Sequence, residues 1–304
     1  MQTAKSVQNM KITLYNFSEL KYNTDIKTNP NRKEYIIMKK LLALALAMIV
    51  CLSCFAGCSK AADGGAKKVV VVGYTLYEPM NYEDENGKLI GFDTELAEAV
   101  FTKMGYKVVF KLIEWDNKYT DLDAGTIQCI WNGFTANKAD DDGVARADKV
   151  DFSYNYMENR QVIVVKKDSG IKAAEDLKSK IGAAEAGSVG ESYGKSFEGT
   201  TIKGFTAQTD CLFEVNAGTA QFAVVDAQLA KSYCGKGNYT NLEIVDALSS
   251  DVEYYAIGFK KGSALTAEVN KTLEALAADG TIAKLAEKYG VATTTITDFS
   301  DQKK

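Results

Sequence analysis

Between residues 68 and 290 the chain alternates short apolar runs with stretches in which apolar residues return every third or fourth position. Val69 to Val72 is continuous and β-branched, which predicts a buried strand over Lys68–Tyr74. Phe92, Leu96, Val100 and Met104 recur at intervals of four. They predict a helix over Phe92–Met104 with Asp93 as N-cap, Glu95 in the first turn and Gly105 as the stop. A strand at Lys107–Ile113, a helix at Asp116–Asp123 and a strand at Ile127–Trp131 complete a β-α-β-α-β rhythm, that of a parallel sheet covered by helices. A second α/β unit follows. Its strands are expected at Gln161–Val165, Lys180–Ala184, Thr201–Gly204 and Gln221–Val225, and its helices near Ala173–Lys178, Ser188–Phe197, Thr209–Ala217 and Ala227–Cys234. A strand at Glu253–Phe259 and two amphipathic helices close the pattern, one marked by Leu265, Val269, Leu273 and Leu276, the other by Ile282, Leu285 and Tyr289.

Apolar strands on both sides of the second unit imply that it is inserted into the first. Residues 68–157 and 253–304 then form one lobe and residues 158–252 the other, joined by two chain crossings that act as a hinge. The cleft between the lobes, at the carboxyl ends of parallel strands, is the expected ligand site.

The N-terminal pattern is of a different kind. Met38-Lys39-Lys40 is basic, Leu41 to Phe55 is apolar apart from Ser53, and small residues follow before Cys58. A charged start, a short apolar middle and small residues before a break have the layout of a secretory signal, over 38–57. The run is short for a spanning helix, which needs about 20 residues. Phe55-Ala56-Gly57-Cys58 resembles the lipobox of bacterial lipoproteins, with Phe55 where Leu is usual. That resemblance implies Cys58 as the mature N-terminus, its sulfur carrying diacylglycerol. Residues 1–37 are polar and unpatterned and read as an upstream extension of a chain that starts at Met38. Residues 58–67 are small and polar and read as a flexible tether.

Composition narrows the chemistry. The chain has no histidine, which excludes a Ser-His-Asp or Cys-His triad and a histidine metal site. From residue 58 onward there are 28 basic and 37 acidic residues, a net charge of −9 that argues against nucleic acid as a partner. The two prolines, Pro30 and Pro79, rule out a Pro-rich linker. Cys129, Cys211 and Cys234 lie in the body, and Cys211 and Cys234 are either a disulfide of the second lobe or isolated thiols. Twenty-six lysines but only two arginines, Arg146 and Arg160, follow residue 57. A chain that uses lysine for general surface charge keeps arginine for a geometric task, such as gripping a carboxylate with a planar fork.

Leu89-Ile90-Gly91-Phe92-Asp93-Thr94-Glu95-Leu96-Ala97 resembles the GFD-x-ELA signature of bacterial extracellular solute-binding proteins for polar amino acids, the receptors of ABC uptake systems. Further similarities follow in order. They are Ile130-Trp131-Asn132-Gly133-Phe134-Thr135, Arg146 with Val150-Asp151-Phe152-Ser153, Asp176-Leu177-Lys178, Ile181-Gly182 with Ala186-Gly187-Ser188, Ala223-Val224-Val225-Asp226, and Asp279-Gly280-Thr281 with Lys288-Tyr289-Gly290. The resemblance covers about residues 68–290. It implies an α/β, two-lobed periplasmic-binding-protein-like fold of type II, with no cofactor and no metal. The protein would be a monomer held on the extracytoplasmic side of the cell membrane by lipid on Cys58, delivering an amino acid to an ABC permease.

The resemblance also implies a site. Arg146 would take the ligand carboxylate, the plain alternative being a surface ion pair. Asp226 would take the α-ammonium, or cap the helix after it, or both. Tyr77 and Trp115 would be aromatic walls, with core packing the alternative for Trp115. Backbone groups of Asn132 and Gly133 and the Thr135 hydroxyl would add hydrogen bonds. Gly187 and Ser188, at a helix start, would offer N–H groups to an anion. Glu185 stands at the side-chain selectivity position and would favour a ligand ending in a donor or cation, or else is an ordinary exposed glutamate. Arg160, at the hinge, reads as structural. The step from Thr135 to Arg146 is longer than in the family and contains Asp140-Asp141-Asp142-Gly143, which lacks the spacing of a calcium loop and reads as solvated. Two other functions share the scaffold. A dehydratase would need an acid or base in the cleft, for which Glu185 is the candidate, and a chemoreceptor ectodomain would continue into a spanning helix.

Overall fold

A computed structural model describes residues 67–303. The signal, Cys58, the tether up to residue 66 and the upstream extension lie outside the described residues. In chain order the strands are β1 (Val69–Tyr74), β2 (Tyr82–Glu83), β3 (Leu89–Ile90), β4 (Lys107–Leu112), β5 (Cys129–Ile130), β6 (Asp151–Phe152), β7 (Met157–Asn159), β8 (Gln161–Lys166), β9 (Ile181–Glu185), β10 (Thr201–Phe205), β11 (Phe222–Asp226), β12 (Leu242–Val245), β13 (Glu253–Tyr255) and β14 (Gly258–Phe259). The α-helices are α1 (Phe92–Lys103), α2 (Lys118–Asp123), α3 (Arg146–Lys149), α4 (Val189–Lys195), α5 (Gln208–Ala217), α6 (Ala227–Tyr233), α7 (Leu265–Ala278) and α8 (Thr281–Lys288).

Two five-stranded sheets carry the fold. The first has the order β4-β1-β5-β14-β6, and the second β10-β9-β11-β8-β12. Each is parallel on one side, through β4-β1-β5 and β10-β9-β11, and antiparallel on the other, through β14 and β6 or β8 and β12. The sheets are therefore mixed where the sequence rhythm predicts parallel ones. The chain passes from the first sheet to the second along β7 and returns along β13. These two strands pair antiparallel, with Asn159 opposite Glu253 and Met157 opposite Tyr255. The apolar run 253–259 is thus two short strands, one in this ribbon and one in the first sheet.

The second sheet is buried on both faces, so its strands need no polar alternation. Ile163, Val165, Phe222 and Val224 face one layer with Leu177 and Leu248, while Val162, Val164, Ala223 and Val225 face another with Cys211, Leu212 and Leu229. In the first lobe α1 buries Phe92, Leu96, Val100 and Phe101, and α7 packs against it through Val269 and Leu273. Gly105, at φ +84, ends α1 as expected. Asp93 does not cap that helix. Gly91 is the N-cap, and Asp93 sits one step past the first helical residue, pointing inward. Cys129, Cys211 and Cys234 are free thiols.

Candidate functional site

Between the two sheets lies a narrow cavity lined by Trp115, Asn132, Gly133, Thr135, Arg146, Gln161, Glu185, Ser188, Val189, Gln208 and Asp226. Other hollows open on the outer surface, one of them beside Lys67 and Tyr106, while this one sets the buried Arg146 against the buried Glu185 and Asp226.

The floor from the first lobe is set by the turn after β5. Gly133 adopts φ +57, and a Cβ there would lie 2.7 Å from Tyr77 Cε1 and 3.1 Å from the Tyr255 ring. Its N–H donates to Asp93 Oδ2 at 3.0 Å, and the Tyr156 hydroxyl donates to the same oxygen at 2.9 Å. That is the task of the aspartate in the GFD run. Burial raises its pKa to about 7 against these bonds. The Asn132 side chain turns away from the cavity, accepting from Thr75 Oγ1 at 2.6 Å and donating to Asn81 Oδ1 at 2.7 Å. Gly133→Ala forces an unfavourable left-handed conformation, costing about 1–2 kcal/mol before the rings move. It is expected to lower the melting temperature by about 2–4 °C per kcal/mol lost, read by calorimetry.

Arg146 opens α3 and is 2% exposed. Its Nε donates to Asp140 Oδ1 at 2.7 Å, and its guanidinium lies 5.2 Å above the Phe134 ring. The two terminal nitrogens reach only the carbonyls of Thr135 and Gly187, each at 3.4 Å, so the fork is oriented but weakly engaged. The aspartate run is exposed at Asp141, Asp142 and Gly143, as a solvated loop would be, but Asp140 turns inward. Although burial opposes ionisation of Asp140, Arg146, Lys149 and the Tyr119 hydroxyl hold its pKa down to about 2. Asp142 pairs with Lys149, and Asp141 reaches the second lobe, where it meets Ser192 and pairs with Lys195 at 2.6 Å.

Asp226 ends β11 and is 6% exposed. It makes no side-chain cap to α6. Instead three neutral amides converge on it: Asn159 Nδ2 and Gln161 Nε2 donate to Oδ1 at 2.7 and 2.6 Å, and Gln208 Nε2 to Oδ2 at 2.5 Å. These amides orient the carboxylate without neutralising it, and burial raises its pKa. Glu185, ending β9, is 4% exposed and is no ordinary surface glutamate. Burial raises its pKa to about 8, and Asp226 adds to the rise while Lys118 opposes it.

Of the residues named from the sequence, Trp115, Asn132, Gly133, Thr135, Arg146, Glu185, Ser188 and Asp226 line the cavity. Trp115 does so while packing edge-on against Phe134 at 5.3 Å, so core and wall are one role. Tyr77 stands behind the wall, under Gly133, its hydroxyl 2.8 Å from that of Tyr255. The Gly187 N–H donates to Glu191 Oε2 and the Ser188 N–H to the Glu185 carbonyl, so neither faces the cavity as an anion donor. Gly187 contributes its carbonyl instead, which accepts from Arg146 and from Lys118 Nζ at 3.1 Å across the lobes. Arg160 donates to the Ser250 carbonyl at the surface, a structural contact.

Lys118, Gln161, Gln208 and Glu253 escape sequence reasoning. Lys118 is buried over the Trp115 and Tyr119 rings, 4.9 and 4.8 Å from their centres. Burial, with Arg146 nearby, lowers its pKa to about 8. Among 26 lysines nothing marked this one.

The profile of bacterial extracellular solute-binding proteins, family 3, matches residues 69–292. The arginine-binding extracellular protein ArtP of Bacillus subtilis is 28% identical over 257 residues, covering 83% of this chain and 98% of that protein. The L-cystine-binding protein TcyA of the same organism is 30% identical over 273 residues, covering 83% and 97%. Among solved structures, an ancestral arginine-binding protein bound to arginine superposes with a TM-score of 0.66 and 35% identity, covering 73% of this chain and 98% of its own.

Proposed function

Since the chain belongs to the bacterial extracellular solute-binding proteins, family 3, we propose that it binds a free amino acid whose side chain ends in a cation or hydrogen-bond donor, closes on it, and delivers it to an ABC permease. The observation that carries this is the polarity of the cavity. The fork of Arg146 enters from one lobe, and the carboxylates of Asp226 and Glu185 enter from the other. A zwitterion places its carboxylate on the first and its ammonium on the second, and both poles leave water only against charged partners. Because the two poles sit on different lobes, the ligand stabilises the closed arrangement alone, which is what shifts a hinge equilibrium. Glu185 then takes the far end of the side chain. The named relatives bind arginine and L-cystine respectively, so family membership leaves that end open.

The lipobox-like Phe55-Ala56-Gly57-Cys58 supports an anchor through Cys58, holding the lobes at the outer face of the membrane. Among the described residues no helix is long and apolar enough to cross a membrane.

A thermal-shift screen with the common L-amino acids and L-cystine tests the reading. A ligand at a hundred times its Kd stabilises the fold by about 2.7 kcal/mol. The largest shifts are expected from side chains ending in a cation or amide, and E185Q is expected to reduce the shift from the cationic ones most. No shift with any amino acid sinks the proposal. Turnover of prephenate or arogenate would favour the dehydratase reading instead.

A further inference from the structure

Glu253 opens β13 and is fully buried. Its Oε1 accepts from Asn159 Nδ2 at 2.6 Å and from Gln161 Nε2 at 2.8 Å. The same two nitrogens hold Asp226 Oδ1. Bonded to a shared pair of donors, one oxygen of each acid sits beside the other. The donors are neutral amides, which can orient two anions but cannot offset their charge. Glu253 Oε2 has no hydrogen-bond partner among the described residues.

The surroundings offer little relief. Asp226 comes from β11, and Glu185 from β9 faces Asp226 in turn. The hydroxyls of Tyr77 and of Tyr255 in β13 face both acids. Arg146 of α3 is the cation that acts on Glu253, and its Nε is already spent on Asp140, while Lys118 of α2 acts on Glu185. Two adjacent buried carboxylates with no cation between them do not both ionise.

We infer that Glu253 carries a proton in the ligand-free protein, and that the ammonium of an arriving amino acid at Asp226 expels it to solvent, so that the receptor exchanges one proton for one bound cationic group. The inference rests on the reading that Asp226 receives that ammonium. No bond to carbon changes. The O–H bond of Glu253 breaks, its electron pair stays on the carboxylate, and the proton leaves to water. A groove on the back of the hinge, lined by Asn159 and Val252, brings solvent to within one side chain of Glu253. Burial, with Asp226 as the second cause, pushes the Glu253 carboxyl up to about 7, the pH range in which such an exchange is felt. Glu253 is a positioning and proton-holding residue here. It acts on the ligand through Asp226.

The sign follows from linkage. Binding that releases a proton weakens as pH falls below the pKa of the ligand-free group, by up to about tenfold in Kd per pH unit for one proton. Affinity is therefore expected to fall from pH 7 to pH 5.5 and to level off in alkali.

The test uses the folded chain and whichever amino acid gives the largest thermal shift. Calorimetric titration at pH 6.5 in phosphate and in imidazole, whose ionisation enthalpies differ, reads the protons released. The expected result is a release that falls by about one proton in E253Q relative to the wild type, while any further release from Glu185 against a cationic side chain is removed separately in E185Q. Binding with no release overturns the inference while leaving the receptor reading intact. Absence of binding to any amino acid overturns both. Release that persists in E253Q and vanishes in E185Q assigns the proton to Glu185 and overturns the role of Glu253. If E253Q fails to fold, carboxyl-labelled glutamate in the E185Q protein decides. One glutamate resonance is expected to titrate near pH 7 and to ionise when the amino acid is added, and its absence overturns the inference.

Discussion

Arg146→Ala is expected to weaken amino-acid binding at least about thirtyfold. Truncating one member of a buried charge pair costs about 2–5 kcal/mol, and the low end of that range already gives a factor of this size. The geometry makes the substitution a clean one. Asp140, the partner left behind, still accepts from Lys149 at 2.8 Å and from the Tyr119 hydroxyl at 2.6 Å, so it is not orphaned. The lobes still meet through Lys118 on the Gly187 carbonyl and through Asp141 on Lys195. Fold and closure therefore survive while the carboxylate of the ligand loses its only planar cation in the cavity. Arg146→Lys is expected to recover part of the loss, since a point charge offers no parallel pair of hydrogen bonds. Calorimetric titration measures both, and wild-type affinity in Arg146→Ala would refute the assignment.

What could be read from the chain, and what could not, follows from where each signal is written. The helix at 92–103 and the strands at 69–74, 161–166 and 222–226 rest on local periodicity or on runs of branched apolar residues, and both survive into the structure because burial rewards them directly. The hairpin of β2 and β3 and the strand β12 carry no such pattern: two of them are two residues long, and Leu242–Val245 is only partly buried at the sheet edge. Arg146 was legible through scarcity, since arginine is rare in this composition. Asp93 misled by two residues, because an acid near a helix start fits a cap as well as it fits an inward-pointing anchor for Gly133. Gln161, Gln208 and Glu253 could not be found at all. They meet at Asp226 from positions up to 92 residues apart, and two uncharged amides and one acid among many give no signal until the fold brings them together.

Asp226→Asn sets binding against stability. The substitution removes the anion that faces the ligand ammonium, and the loss of affinity is expected to match that of Arg146→Ala. The ligand-free fold should respond in the opposite direction. Burial raises the pKa of Asp226, of Glu185 to about 8 and of Glu253 to about 7, and proximity to Asp226 is the second cause for both glutamates. A carboxyl whose pKa is higher folded than unfolded binds more protons in the folded state. Its contribution to stability is fully present below the unfolded pKa, near 4, and is lost as pH rises through the folded value. The wild-type protein without ligand is therefore expected to lose stability between about pH 5 and pH 8 on account of this cluster. Asparagine keeps the shape, gives up the bond from Gln208 Nε2 because its own amide nitrogen cannot accept there, and removes one of the crowded charges, so the glutamates ionise more easily and less stability is lost with rising pH. The melting temperature of ligand-free Asp226→Asn should exceed that of the wild type at pH 8, by about 2–4 °C for each kcal/mol recovered, and the gain should shrink at pH 5. Melts at the two pH values, with a binding titration at each, decide the matter. A variant that melts lower than wild type at pH 8, or that still binds amino acids tightly, would show that the strain in this cavity is not the counterpart of its grip on an ammonium group.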